Sequence, residues 1–202
     1  AGNDGRPQRV MNHDSYDDTY IRGILNTVKT IAMVGVSPKT SRPSYFVFKY
    51  LLERGYRVIP VNPGQAGTEL YGQKFHARLA DISEPVDMVD IFRNSDAALD
   101  VVQEALALRP LPQVIWMQLG VRNDAAAAEA EAGDIKVVMD RCPKIEYGRL
   151  SSEIGWIGVN SRTLTSKRAQ LLGKGVQRMS LNRATMAGGS ADAAERARKD
   201  SS

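Results

Sequence analysis

The sequence predicts a Rossmann-like three-layer α/β/α fold around a five-stranded parallel sheet. Three observations carry this expectation. Five short apolar runs, at residues 31–36, 57–61, 88–92, 113–117 and 135–139, alternate with segments of helical periodicity. Glycine, proline, asparagine or serine punctuates the junctions between them. The first run closes on Gly35 and leads through a polar loop into a helix start. Alternation of this kind places the strands parallel and the helices on both faces of the sheet.

The elements follow in order. Residues 1–14 are rich in Gly, Asn, Asp and Arg, and a flexible N-terminus is expected, with Met11 a candidate natural start. Ser15-Tyr-Asp-Asp18 has the spacing of a capping box. Ile21, Ile24, Leu25 and Val28 then form one helical face, expected to cover an edge of the sheet. Residues 31–36 read as a buried strand. Pro43 suits a first helical position, and a helix over 45–54 is expected, with Phe46, Val47, Tyr50 and Leu51 as its apolar stripe and Gly55 as its stop. Residues 57–61 form the second strand, ended by Asn62-Pro63-Gly64. An irregular link leads to the third strand at 88–92. Ser95 is expected to cap a helix reaching about 108, where Pro110 and Pro112 prevent continuation. After the strand at 113–117, Asn123 caps an alanine-rich helix over 124–132 that Gly133 ends. The last strand is 135–139. The folded domain is expected over 15–160, with Gly155-Trp-Ile-Gly158 packing back on it. A basic C-terminal extension follows over 161–202, mobile from about 173.

Composition bounds the function. The chain has 202 residues, 43% hydrophobic and 25% charged, as expected of one globular domain. No apolar run approaches the roughly 20 residues of a membrane span, and the N-terminal stretch has no apolar core of a secretory signal. One cysteine, Cys142, rules out an internal disulfide and fits the cytoplasm. With only two histidines, it also argues against a Cys/His zinc site. The net charge of +4 is uneven: residues 154–191 hold six basic side chains and no acidic one, and the last eleven residues balance, leaving −2 for residues 1–153. A solvated basic tail is the plain reading. The tail has no aromatic residue after Trp156 for base stacking, which counts against a nucleic-acid partner.

On a parallel sheet, ligands bind beyond the carboxyl ends of the strands. The first strand end, Gly35-x-Ser37 followed by Thr40, Arg42 and Ser44, sets several donors beside a helix start, as a phosphate site needs. Arg42 offers a planar fork to a phosphate, and Lys39 is less well spaced. The loop is neither a G-x-G-x-x-G fingerprint nor a P-loop. The second strand ends Val61-Asn62-Pro63 with no carboxylate for a ribose, which counts against NAD. Trp116 reads as core and His76 as a surface residue. Cys142 follows a strand but lacks a nearby histidine, so a Cys–His mechanism is not expected. No Ser–His–Asp set or carboxylate pair emerges from the spacing, and the reading is of a binding protein, not an enzyme.

Five stretches in order carry a resemblance: Gly35-Val-Ser-Pro-Lys-Thr-Ser-Arg-Pro-Ser44, Val58-Ile-Pro-Val-Asn-Pro63, Val86-Asp-Met-Val-Asp-Ile-Phe-Arg93, Trp116-Met-Gln-Leu-Gly120 and Met139-Asp-Arg-Cys-Pro-Lys-Ile-Glu146. Over about residues 30–150 the chain resembles the stand-alone CoA-binding proteins, which are similar to the CoA-binding domain of the succinyl-CoA synthetase alpha subunit. The resemblance implies coenzyme A or an acyl-CoA as ligand. Gly35, Val36, Ser37, Arg42 and Ser44 would hold its phosphates. Val61, Asn62 and Pro63 would flank adenine and ribose. Phe92 and Arg93 would line the nucleotide or pantetheine path, and Gln118, Leu119 and Gly120 would border the pantetheine end. The synthetases' phosphorylated histidine and nucleotide-grasping domain have no counterpart here, and Gln65 stands near the place of a synthetase lysine. The competing expectation is the CoA-binding half of an acyl-CoA ligase-type enzyme, or an NAD(P)-dependent enzyme, working with a partner chain. A homo-oligomer is allowed. Cys142 is expected near the thiol end of CoA, where a mixed disulfide would add the mass of CoA under oxidation.

Overall fold

The structure, a computed structural model, describes residues 11–151. The segment around Trp156 and the basic extension lie outside the described residues. In chain order the elements are α1 (Asp18–Thr27), β1 (Thr30–Val34), α2 (Pro43–Glu53), β2 (Arg57–Val61), β3 (Glu69–Leu70), β4 (Gln73–Lys74), β5 (Met88–Ile91), α3 (Ala98–Leu106), β6 (Val114–Met117), α4 (Asp124–Ala132), β7 (Lys136–Val138) and α5 (Pro143–Leu150). Single 3-10 turns at Pro63–Gln65 and Leu79–Asp81 complete the chain between β2 and β5.

The main sheet has the order β2-β1-β5-β6-β7, and all its pairings are parallel. This is a Rossmann-like α/β fold. Nearly every sheet position is buried, as continuous Val/Ile/Met runs require when both faces are covered. One face packs on α1, α2 and α5 through Ile21, Leu25, Phe48, Leu51 and Tyr147. The other packs on α3 and α4 through Val102, Ala105, Ala127 and Ala130, whose small side chains let the helices approach closely. Strand order reverses between β1 and β5: the chain goes from β1 outward to β2, then crosses back to β5.

The open edge strand β7 is covered by tyrosines. The Tyr20 hydroxyl donates to the Val137 carbonyl (3.3 Å), and the Tyr16 hydroxyl accepts from the Met139 N–H (2.8 Å). The two rings stack at 5.9 Å. Backbone groups that would otherwise invite another strand are thereby occupied. α1 therefore covers a sheet face and also reaches this edge.

Several expectations change. The capping box at Ser15 does not form. The helix starts at Asp18 with no side-chain cap, because residues 13–16 are drawn out along β7 and α4. Within the stretch expected to be flexible, His13 is buried, 3.2 Å from Glu131 and 2.9 Å from the Tyr16 hydroxyl. Ser95 does not cap α3, which begins at Ala98. Its hydroxyl instead receives the Arg122 N–H, and Asn94 receives the Ala97 N–H. On α2, Phe48 takes the core position and Phe46 is exposed, since the buried stripe runs at helical spacing through Ser44, Val47, Phe48 and Leu51, with Tyr50 at its margin. His76 is half-buried, and its backbone extends the sheet edge beside Pro60 and Asn62. The irregular link contains the β3–β4 hairpin, and α5 is an element the periodicity does not announce. Among the described residues no helix is long and apolar enough to cross a membrane.

Candidate functional site

The carboxyl ends of β1, β5 and β6 lie side by side at the reversal of strand order, where ligands enter such sheets. The β1–α2 loop is held by its own backbone. The Gly35 N–H donates to the Val61 carbonyl (2.8 Å) and the Ser37 N–H to Ser44 Oγ (3.1 Å). The Lys39 N–H donates to Ser37 Oγ (3.3 Å). Two of the expected hydroxyl ligands thus serve first as acceptors that shape the loop, and Ser44 is buried. Each hydroxyl keeps its own O–H to donate. No side chain caps the N-terminus of α2, whose Ncap residue is Arg42 and whose first helical residue is Pro43. A helix start without a cap leaves N–H groups and the positive end of the dipole facing the loop.

Gly35 is where the loop and β5 meet. Its φ is +90°, and a Cβ there would stand 2.6 Å from the Phe92 carbonyl and 3.1 Å from Cδ of Arg93. The Arg93 side chain therefore passes directly over Gly35. Arg42 and Arg93 are both exposed, and neither has a carboxylate partner among the described residues. By contrast, Arg57, Arg78, Arg122 and Arg149 each hold a carboxylate. Two free guanidiniums beside an uncapped helix start make this crevice ready for an anion.

The remaining expected residues divide by exposure. Val36 and Val61 are buried, so only their backbone can face a ligand. Asn62 ties β2 to the loop: its amide donates to the Val36 carbonyl (2.7 Å) and accepts from the Gly64 N–H (3.0 Å). Pro63 is exposed and Phe92 half-buried. Leu119 is 56% exposed beside Gly120, whose N–H donates to Asp140 (2.7 Å). Trp116 is core, its indole donating to the Arg141 carbonyl.

Two buried groups under the crevice extend the sequence reading. Asp90, on β5, is 0% exposed, and burial raises its carboxyl pKa from 3.8 to about 8. Gln118 Nε2 donates to both of its oxygens, at 2.9 and 3.0 Å. The available signal is a lone Asp inside an apolar strand run, two residues before Phe92, in a run that reads only as strand. Cys142, at the Ncap of α5, is 6% exposed. Burial pushes its thiol up, the reverse of what thiolate attack requires, though the Ile145 and Lys144 N–H groups pull the other way. A hollow of about 520 Å³ lies near Tyr20 and Lys136 at the start of β7, away from these strand ends.

A parallel sheet covered by helices on both faces, with its strand order reversing between β1 and β5, defines a Rossmann-like α/β protein. This chain belongs to the CoA binding domain family, whose model matches residues 29–148. It is 35% identical over 127 residues to the uncharacterized protein YneT of Bacillus subtilis (strain 168), covering 63% of this chain and 91% of that one. A Thermus thermophilus structure, cell-free ID.343, is 42% identical with a TM-score of 0.63, over 66% of this chain and 98% of that one. A hypothetical protein from Pyrococcus horikoshii OT3 is 36% identical with a TM-score of 0.64, over 69% of this chain and 96% of that one.

Proposed function

We propose that the chain binds coenzyme A or an acyl-CoA through the 35–44 loop and performs no chemistry on it. The carrying observation is a pair of guanidiniums without a carboxylate partner among the described residues: Arg93, whose side chain passes over Gly35, and Arg42, at the Ncap of α2. Phosphates lie between them and the start of α2. Pro63 and the half-buried Phe92 face the nucleotide, and Leu119 and Gly120 border the pantetheine end. The two groups with chemistry to offer, Asp90 and Cys142, are both buried, which supports binding over turnover.

At a CoA concentration of about 100 Kd the protein is expected to gain about 2.7 kcal/mol, a rise in Tm of roughly 5–10 °C. NAD is expected to leave Tm unchanged, because Asn62 stands where a ribose carboxylate is needed. NAD protection with CoA inert would refute the reading. Arg42→Ala removes a charge-assisted contact to phosphate and is expected to weaken CoA binding roughly ten- to hundredfold by calorimetry. An unchanged affinity would take Arg42 out of the site.

A second reading makes this chain the CoA-binding half of a ligase-type enzyme completed by a partner chain. It draws on Phe46 (50%), Ile145 (45%) and Leu119 (56%), exposed apolar residues at the α2 start, the α5 start and the β6 end. A second polypeptide co-purifying, with turnover on adding nucleotide, would favour it.

A further inference from the structure

Asp90 and Gln118 form a buried pair whose two halves disagree about a proton. Gln118 Nε2 faces both carboxylate oxygens, the arrangement of an ionised acid. Complete burial favours the neutral acid. Across the sheet Asp90 has Met33 on β1 and Trp116 on β6, neither of which offers charge. The ionisable groups around it are otherwise engaged or distant. Cys142 at the α5 start feels the Asp90 charge. On α5, Glu146 is held by Arg149, and Lys144 sits over the Tyr50 ring. On α2, Lys49 pairs with Glu53, and on α1, Asp18 pairs with Arg149. Arg93, after β5, and Arg141, bonded to the Asp140 carbonyl, remain near the surface.

The other end of the Gln118 amide is free. Oε1 accepts no hydrogen bond from the described residues, and Gln118 as a whole is 4% exposed, so the amide sits just beneath the surface. The next residues, Leu119 and Gly120, are exposed at the strand end. The amide therefore lies between the buried acid and the strand end that Leu119 and Gly120 expose.

We propose that Asp90 is a specificity-determining group: its proton decides, through Gln118, whether the pantetheine end of the site offers the ligand an acceptor or a donor. With Asp90 ionised, Nε2 is held inward and Oε1 faces out, ready for the S–H of free CoA. With Asp90 protonated, its O–H donates to Oε1, the amide turns over, and Nε2 faces out toward a thioester carbonyl. Low pH then favours acyl-CoA and high pH favours free CoA. This inference rests on the CoA-binding reading above.

The test measures Kd for CoA and for acetyl-CoA by calorimetry from about pH 6 to about pH 8, below the ordinary pKa of a free thiol. Phosphate and adenine titrations are common to both ligands and cancel in the ratio. The preference for acetyl-CoA over CoA is expected to fall roughly fivefold across this range in the wild-type protein, the size of one mismatched hydrogen bond. It is expected to be flat in Asp90→Asn, and also in Gln118→Met, which keeps the acid and removes the amide. A flat wild-type ratio overturns the inference alone, and so does an unchanged slope in a folded variant. Failure of both ligands to bind overturns the functional reading, and this inference with it. The wild-type series decides the matter even if a variant fails to fold.

Discussion

Gly35→Ala is expected to lower the unfolding free energy by roughly 2–5 kcal/mol in urea titrations and to abolish protection by CoA. Two costs add. The φ of +90° is a conformation that a side chain rarely adopts, and the new Cβ would sit 2.6 Å from the Phe92 carbonyl oxygen. That oxygen cannot retreat easily, because the Phe92 N–H is bonded to the Val34 carbonyl at 2.8 Å. Relief would have to part β1 from β5 at the point where the crevice opens, or push Arg93 aside. Gly120→Ala is the matching control. Its φ is +76°, but nothing lies within 4 Å of a Cβ there, so only the backbone term of roughly 1 kcal/mol should appear. Equal effects at the two positions would show that the contact between the loop and β5 does not matter.

Asp90→Asn is expected to change how stability depends on pH. Burial raises the folded-state pKa of Asp90 to about 8, above its ordinary 3.8. The unfolded chain therefore releases this proton first. The carboxyl's contribution is complete below about pH 4 and is lost as pH rises toward about 8. The substituted amide has no proton to lose and keeps a carbonyl for Gln118 Nε2. Relative to wild type, the variant is expected to gain about 4 kcal/mol at most between pH 5 and pH 8, at about 1.36 kcal/mol per pH unit. Denaturant midpoints at the two pH values give the comparison. Parallel pH profiles for the two proteins would mean that Asp90 is ionised in the folded state at neutral pH, and that the Gln118 amide and solvent offset its burial.

Much of the fold was legible because its signals are local. The 57–61 strand and the 124–132 helix stand where their residues put them. Asn123 caps that helix by accepting the Ala126 N–H (2.9 Å), and Gly133 ends it. The missed features depend on distant partners. Ser15 and Ser95 look like caps in isolation, yet the chain before α1 is held by Met139 and Glu131, and Ser95 by Arg122. The α5 helix has a weak apolar pattern, and contacts with α1 and α2 hold Tyr147 and Leu150 in place. Asp90 reads as one polar residue in a strand because nothing near it in sequence marks Gln118, 28 residues later, as its partner.

Periodicity, turn chemistry and motif order along the chain were enough to define the class of fold and the family, and they point to the 35–44 loop as the candidate site. Which donors remain free at that loop was settled by contacts in three dimensions. Ser37, Ser44 and Asn62 spend part of their hydrogen bonding on the loop itself, and Val36 and Val61 are sealed in the core, whereas Arg42 and Arg93 keep no carboxylate partner among the described residues. The same contacts leave a carboxyl buried beneath the crevice. Burial, hydrogen-bond saturation and the proton affinity of an acid are set by neighbours brought together across the sheet, and no spacing within one strand records them.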